Sequence, residues 1–293
     1  MDNSAIKSII GIILAVSVGV GLAIAGSQGS ARIGEFPIFA LAIIAVYLIQ
    51  WIAFVFSYIN KTEKFYDLTG SFTYISISFF LILTMPKIDG RAVLLFAMVI
   101  IWATRLGTFL FNRVMQAGKD DRFDEIKVNF FRLLLTWTLQ GLWVSFTASA
   151  AWAALATSDR MELGIIAVIG FIIWAIGYIF ELLSDAQKSE FKAKPENDGK
   201  FIQSGLWSLS RHPNYFGEII IWIGVALVAL PVLSGWALFT LISPIWVIVQ
   251  LTRISGLPQL EKKADERWGG QDDYETYKKN TPVLIPKFPT QKK

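Results

Sequence analysis

The sequence has no cysteine and a single histidine, His212. The first absence excludes disulfides and thiolate chemistry, and it leaves the compartment open. The second excludes a metal site built from several imidazoles. Carboxylate metal sites remain open, but no motif supports one. Charge is scarce as well. Asp, Glu, Lys and Arg make up 17% of the chain, against about a quarter in soluble domains. There is no GxGxxG or Walker segment, so neither a Rossmann nor a P-loop nucleotide site is indicated. No internal repeat, low-complexity tract or separate soluble domain is evident.

What the chain does hold is apolar: 54% of its 293 residues are hydrophobic and 14% aromatic. These residues fall in blocks close to the roughly 20 residues a helix needs to cross about 30 Å of hydrocarbon. Eight candidate spans follow, at 5–25, 37–59, 70–85, 91–112, 130–156, 163–183, 217–233 and 236–252. The third and seventh are short and the last two adjoin at Ser234-Gly235, so seven or nine spans remain open. The first block lacks a convincing small-residue cleavage site, and more apolar blocks follow it, which favours a retained span over a signal peptide. The expectation is an all-α polytopic helix bundle.

The basic residues orient it. With the N-terminus inside, only Arg32, Lys87, Arg91 and Arg160 fall on outside loops, and Arg105 and Arg132 fall within helices. The remaining Lys and Arg lie inside, among them Lys61, Lys64, Arg113, Lys119, Arg122, Lys127, Lys188 and Lys192. This bias places both termini in the cytoplasm and favours an even number of spans. It also explains the net charge of +4 without invoking nucleic acid. The long loops 60–69, 113–129 and 184–216 and the tail from Arg253 then share the cytoplasmic side. The tail reads as a helix with a turn at Gly269-Gly270, and a solvated surface tail is an equal alternative.

Ionisable residues inside spans are costly, and each is a candidate functional group. Asp67, Arg105, Glu181 with Asp185, and Glu218 stand out, all toward the cytoplasmic half. Helix-dipole stabilisation of Asp67 and Glu218, and snorkelling of Arg105, are the structural alternatives. Asp67, Ser71 and Tyr74 follow i, i+4, i+7 and share one helical face. An acid, a hydroxyl and a phenol on one stripe suit a polar group on an apolar substrate, with a partly desolvated carboxyl donating a hydrogen bond to a carbonyl. Gln140 is either another such donor or a helix–helix bond. The loop 184–216 gathers lysines, Arg211 and His212, a composition that suits a phosphate-bearing nucleotide or the positive-inside signal alone.

The segment GLWSLSRHPNYFGE, residues 205–218, resembles the signature of the steroid 5-alpha-reductase family, integral-membrane reductases that use NADPH. Sterol C14 and delta-24(28) reductases carry a related arginine-histidine-proline-x-tyrosine segment, as do isoprenylcysteine carboxyl methyltransferases, which bind S-adenosylmethionine. FYDLTGSFTY, WATRLGTFLFNRV followed by GKDDRFDE, ELLSDAQKSEFK and SGLP…YETYKKNTPVLIP extend the resemblance over roughly residues 65–286. It implies N-terminal transmembrane helices over 1–60 and a catalytic membrane domain over 61–293.

The resemblance also implies roles. Asp67 takes the place of the acid that contacts the substrate carbonyl. Trp102 stands where the family has a tyrosine, with Arg105 as the arginine that follows. An indole donates a hydrogen bond but supplies no proton at neutral pH, and Tyr74 is a possible substitute. Asp185, Lys192, Asn214 and Glu218 match cofactor-binding positions, and Arg211, His212 and Tyr215 belong to the same signature. Lys200, Arg253, Tyr274 and Tyr277 are weaker transfers. The implied activity is hydride transfer from NADPH to a carbon–carbon double bond conjugated to a carbonyl, in a lipid such as a 3-oxo-4-ene steroid. The expected partners are that substrate and membrane lipids, with no nucleic acid and no obligate protein partner. A methyltransferase using S-adenosylmethionine and a non-enzymatic lipid-binding scaffold are the alternatives.

Overall fold

A computed structural model describes residues 3–117 and 123–287. Of the GKDDRFDE segment, residues 118–122 lie outside the described residues, Lys119 and Arg122 among them. The chain is an all-α polytopic bundle. Its helices are α1 (Asn3–Gly26), α2 (Ile38–Asn60), α3 (Tyr66–Thr84), α4 (Gly90–Ala117), α5 (Phe130–Ala156), α6 (Ile165–Ala193), α7 (Pro213–Ala229), α8 (Ser243–Val249), α9 (Leu257–Trp268) and α10 (Asp272–Asn280). Two two-residue strands, Arg32–Ile33 and Phe36–Pro37, pair antiparallel between α1 and α2. Among the described residues seven helical segments are long and apolar enough to cross a membrane. The protein is therefore an integral, multi-pass membrane protein.

The chain divides into two compact units. The first comprises Met1–Ala167 and Ala226–Ser243, the second Val168–Val225 and Pro244–Lys293.

In the first unit, α5 is the buried centre. It is 27 residues long yet is not among the seven apolar segments, and from Gln140 to Ala156 it is buried almost without a break. Its surroundings are protein, so it needs small and hydrogen-bonding residues more than large apolar ones. By contrast, α1 turns Ile10, Ile13, Leu14 and Ile24 outward and buries Ala15, Gly19 and Gly26. Large apolar side chains outside and small ones inside is the pattern of a helix that faces lipid on one side. Gly19 lies against the Tyr47 ring, where no Cβ fits, and the Tyr47 hydroxyl donates to Ala15 O at 3.0 Å. Neutral polar groups join the helices: Gln50 Nε2 donates to Thr73 Oγ1 at 2.8 Å, and Trp152 Nε1 to Ser78 Oγ at 3.0 Å. Gln140 Nε2 donates to Tyr66 O at 2.9 Å, so the helix–helix role holds for Gln140.

At the opposite loops of this unit Arg91 is buried and tied down. It donates to Val228 O at 2.6 Å and to Glu162 O at 2.8 Å. The expected span 236–252 is not a regular helix. Gly235–Ile242 forms tight 3-10 turns, α8 follows, and Gln250–Ile254 is π-helical. Pro244 lacks an amide N–H, so the 3-10 hydrogen bonding cannot run on through it, although Ser243 before it stays helical with φ −43° and ψ −59°.

In the second unit two helix boundaries differ from expectation. Helix α6 runs about three turns past residue 183, so Asp185 and Lys192 sit on a helix and not in a loop. The segment SDAQKSEFKA consists mostly of good helix formers, and Pro195 ends it. Helix α7 begins at Pro213, where a missing N–H costs nothing at the first helical position. It thereby takes Asn214 and Tyr215 into the helix.

Helices α6 and α7 approach closely at paired glycines seven residues apart. A Cβ on Gly177 would lie 2.7 Å from Gly217 O, and one on Gly224 would lie 2.6 Å from Gly170 O. The glycine in the 205–218 signature is thus a packing residue. Helices α9 and α10 are joined at Gly269-Gly270, and they fold onto the 195–212 loop instead of lying free in solvent. Trp268 Nε1 donates to Gly199 O at 2.6 Å, the Tyr277 hydroxyl to Trp207 O at 2.7 Å, and Arg211 N to Pro282 O at 2.9 Å. Aromatic residues far apart in sequence, Phe201, Trp268, Tyr274 and Tyr277, are the adhesive.

Candidate functional site

The second unit holds the cluster richest in chemistry, built around the start of α7. The loop before it is pinned by Trp207, whose Nε1 donates to Ser184 O at 3.0 Å while Lys188 Nζ lies 4.4 Å from its ring centroid. Ser210 Oγ donates to Leu284 O and accepts from His212 N, which sets the backbone just ahead of the helix. Arg211 and His212 then meet one carboxylate. Arg211 Nη2 lies 2.9 Å from Glu261 Oε2, and His212 Nε2 lies 2.6 Å from Glu261 Oε1. One turn along α9, Asp265 accepts from the Tyr274 hydroxyl at 3.0 Å and from Lys278.

Burial pushes the His212 imidazole below its ordinary value, and the nearby Lys188 and Arg211 charges push the same way. The hydrogen bond and charge of Glu261 oppose them without prevailing. A neutral ring that donates through Nε2 to Glu261 presents Nδ1 as an acceptor. That Nδ1 is buried and has no hydrogen-bond partner among the described residues. The same holds for Asn214 Oδ1, although Asn214 Nδ2 is bonded to Asp185 Oδ1 at 3.3 Å, and for Arg211 Nε and Nη1. Buried polar atoms are rarely left unmatched, and several together mark a place for a ligand. Two guanidinium donors suit an anionic oxygen. The two acceptors suit a hydroxyl or amide N–H.

Other predicted residues of this unit are placed differently. Tyr215 stacks on His212 with ring centroids 5.7 Å apart, and Gly256, with φ +73°, lies where any Cβ would strike the Tyr215 ring. Glu218 is half-buried one turn beyond Asn214 on the same face of α7. Lys192, Lys200 and Arg253 are exposed. Tyr274 is buried among the tail aromatics and spends its hydroxyl on Asp265. Glu261 went unrecognised in the sequence. The signal available was an acid pair four residues apart, Glu261 and Asp265, on a helix otherwise rich in lysine.

The first unit holds the other predicted group. Asp67 sits in the first turn of α3, with Oδ2 3.8 Å from Arg113 Nη2. Ser71 packs against Gly107 of α4, and Tyr74 meets Trp102 edge-on with centroids 5.1 Å apart. The acid stripe of α3 therefore faces α4. Arg105 follows Trp102 by one turn and is half-buried.

The family described as "Protein of unknown function (DUF1295)" matches residues 53–281. The chain belongs to this family. As a DUF1295 protein it resembles steroid and sterol reductases and also a methyltransferase. It is 31% identical over 118 residues to 3-oxo-5-alpha-steroid 4-dehydrogenase 1 of Rattus norvegicus, 40% of each chain. It is 30% identical over 120 residues to Delta(14)-sterol reductase of Arabidopsis thaliana, 36% of this chain and 32% of that protein. Similarity to Probable O-methyltransferase ustE of Ustilaginoidea virens is 34% over 101 residues, 34% of this chain and 35% of that protein. The chain thus matches well under half the length of these curated relatives. No solved structure matches it significantly.

Proposed function

We propose that this protein is an integral-membrane reductase that uses NADPH to reduce a carbon–carbon double bond conjugated to a carbonyl in a lipid, of which a 3-oxo-4-ene steroid is the type. One observation carries the reading: among the described residues Arg211 Nε and Nη1, Asn214 Oδ1 and His212 Nδ1, all from the four-residue stretch 211–214, are buried and unmatched. This donor and acceptor set fits a phosphate with ribose hydroxyls nearby. NADPH supplies the hydride when bound. Arg211 holds a phosphate oxygen, Glu261 keeps the guanidinium oriented, and Asn214, itself held by Asp185, accepts from a sugar hydroxyl. Lys192, Lys200, Tyr215, Glu218 and Arg253 complete the cofactor's surroundings in this reading.

Substrate polarisation is assigned to the first unit. Asp67 contacts the carbonyl, Arg105 adds positive charge, and Tyr74, packed on Trp102, takes the role of the family's tyrosine. Hydrogen bonding there stabilises the negative charge that develops on the oxygen. The catalytic domain is assigned to 61–293, with helices before it added. The lysine and arginine bias puts both termini and the cofactor site in the cytoplasm.

Thermal unfolding of the detergent-purified protein tests the reading. NADPH is expected to raise the midpoint, and Arg211→Met to remove most of the rise. Asp67→Asn should keep the rise but lower kcat. A second reading, transfer of a methyl group from S-adenosylmethionine, is favoured by the likeness to Probable O-methyltransferase ustE. Stabilisation by S-adenosylhomocysteine alone would establish it and overturn the reductase.

A further inference from the structure

An apolar groove of about 510 Å³ opens in the first unit, in the size range of small-molecule sites. Its walls are Ile49, Ile52, Ala53 and Phe56 of α2 and Thr69 and Phe72 of α3. Helical spacing sets Thr69 and Phe72 on the opposite side of α3 from Asp67, Ser71 and Tyr74, so the groove is separate from the acid stripe. Ile52, Phe56 and Phe72 are exposed, Ile52 at 71%. In a membrane helix such residues meet acyl chains. Trp137 of α5 also lines the groove, and its buried Nε1–H has no hydrogen-bond partner among the described residues.

One end of the groove is charged. The turn joining α2 to α3 reads Lys61-Thr62-Glu63-Lys64-Phe65, and Thr62 and Phe65 line the groove. The turn is built to hold its shape. Lys61 adopts the left-handed conformation, with φ 49° and ψ 44°, its N–H bonds to Ser57 O, and Ser57 Oγ donates to Thr62 O at 2.5 Å. Glu63 is buried and spends its charge inward on Lys127 Nζ, 3.1 Å away. Lys61 and Lys64 are left exposed, and among the described residues neither pairs with a carboxylate. The turn thus offers two unneutralised cations at the end of an acyl-sized apolar slot.

We propose that this groove is a binding site for an anionic acyl lipid, with the chain between α2 and α3 and the acidic head at Lys61 and Lys64. The occupant is an anionic phospholipid of the bilayer, since the groove's outer walls, Ile52, Phe56 and Phe72, are exposed where acyl chains lie. The inference does not rest on the reductase reading, and its test reads binding, not turnover.

Native mass spectrometry of the full-length protein in detergent, titrated with phosphatidylglycerol, palmitate and phosphatidylcholine, decides it. Phosphatidylglycerol should bind about tenfold to thirtyfold more tightly than phosphatidylcholine, as two lysines at a membrane surface imply. Tighter binding of palmitate than of phosphatidylglycerol would overturn the phospholipid as occupant. Lys61→Gln/Lys64→Gln should erase the preference while keeping neutral-lipid binding, and Ala53→Phe should fill the groove and weaken all binding. If Ala53→Phe does not fold, the lysine pair alone decides. Equal binding of all three lipids, an unchanged preference in the lysine double variant, or a lipid-free dimer dispersed by Ala53→Phe would overturn the proposal.

Discussion

The two units handle polarity in opposite ways. In the first, the buried polar groups that join helices are mainly neutral: Gln50 with Thr73, Trp152 with Ser78, Gln140 with the Tyr66 carbonyl. In the second, the cluster is ionic, with Arg211 on Glu261 and Lys278 on Asp265, and the neutral His212 bonded to the same Glu261. Neutral bonds between spans are modest in energy, because an unfolded helix in the membrane finds other partners. A charge removed from a partly buried pair leaves its counterpart stranded, which costs far more. The bundle of the first unit is therefore many small contributions. The cluster of the second is a few large ones.

Five substitutions, one of them a control, probe that contrast. The largest effect is expected for Arg211→Met, which takes the cationic partner from Glu261 and removes the two unmatched donors. NADPH affinity, measured by calorimetry, should fall by at least about thirtyfold, in line with the 2–5 kcal/mol typical of breaking a buried charge pair. Next, Gly177→Val places a Cβ where Gly217 O sits. The thermal midpoint should drop by an amount equivalent to about 1–3 kcal/mol, as overpacking typically costs, whereas Gly21→Ala, where nothing lies near, should change little.

In the first unit Gln50→Leu removes the bond to Thr73. A loss of about 0.6–2 kcal/mol in a reversible unfolding assay is expected, with NADPH affinity unchanged. A loss as large as that of Arg211→Met would erase the contrast between the units.

The smallest effect concerns pH. The folded protein holds His212 below its ordinary value by burial, so as pH falls the unfolded chain takes up this proton first. The stability from neutral His212 is complete above about pH 6.5 and is lost as pH drops through the lower folded value. Between about pH 7 and about pH 5 the thermal midpoint should fall more steeply in the wild type than in His212→Gln. Parallel curves would show that His212 is not held neutral.

The spans were legible because hydropathy acts locally: a run such as Ile6 to Ala25 must be helical in a bilayer whatever surrounds it. Asp67, Ser71 and Tyr74 were legible as a stripe for the same reason, since helical spacing needs no tertiary knowledge. The place of Phe130–Ala156 at the centre was not legible. Its Ser, Thr and Ala residues acquire meaning only once other helices surround them. Glu261 was hidden because it lies 49 residues from the histidine it binds. The extension of α6 to Ala193 was obscured because its charged last turns carry no apolar periodicity. The tail's contact with Phe201 and Trp207 likewise depends on loops whose path no local rule sets.

By itself the amino-acid sequence determined that this is a multi-pass helical membrane protein, where its basic residues fall, and that residues 205–218 carry a reductase-like signature. These are properties of local composition and spacing. Only the tertiary structure decided that Arg211 and His212 share Glu261, that Gly217 is a packing glycine against Gly177, and that Asp67 and Tyr74 face α4. Each of those depends on which surfaces meet. A chain this rich in apolar helix can cross a membrane by hydropathy alone, but it positions charge only by closing one part of itself against another.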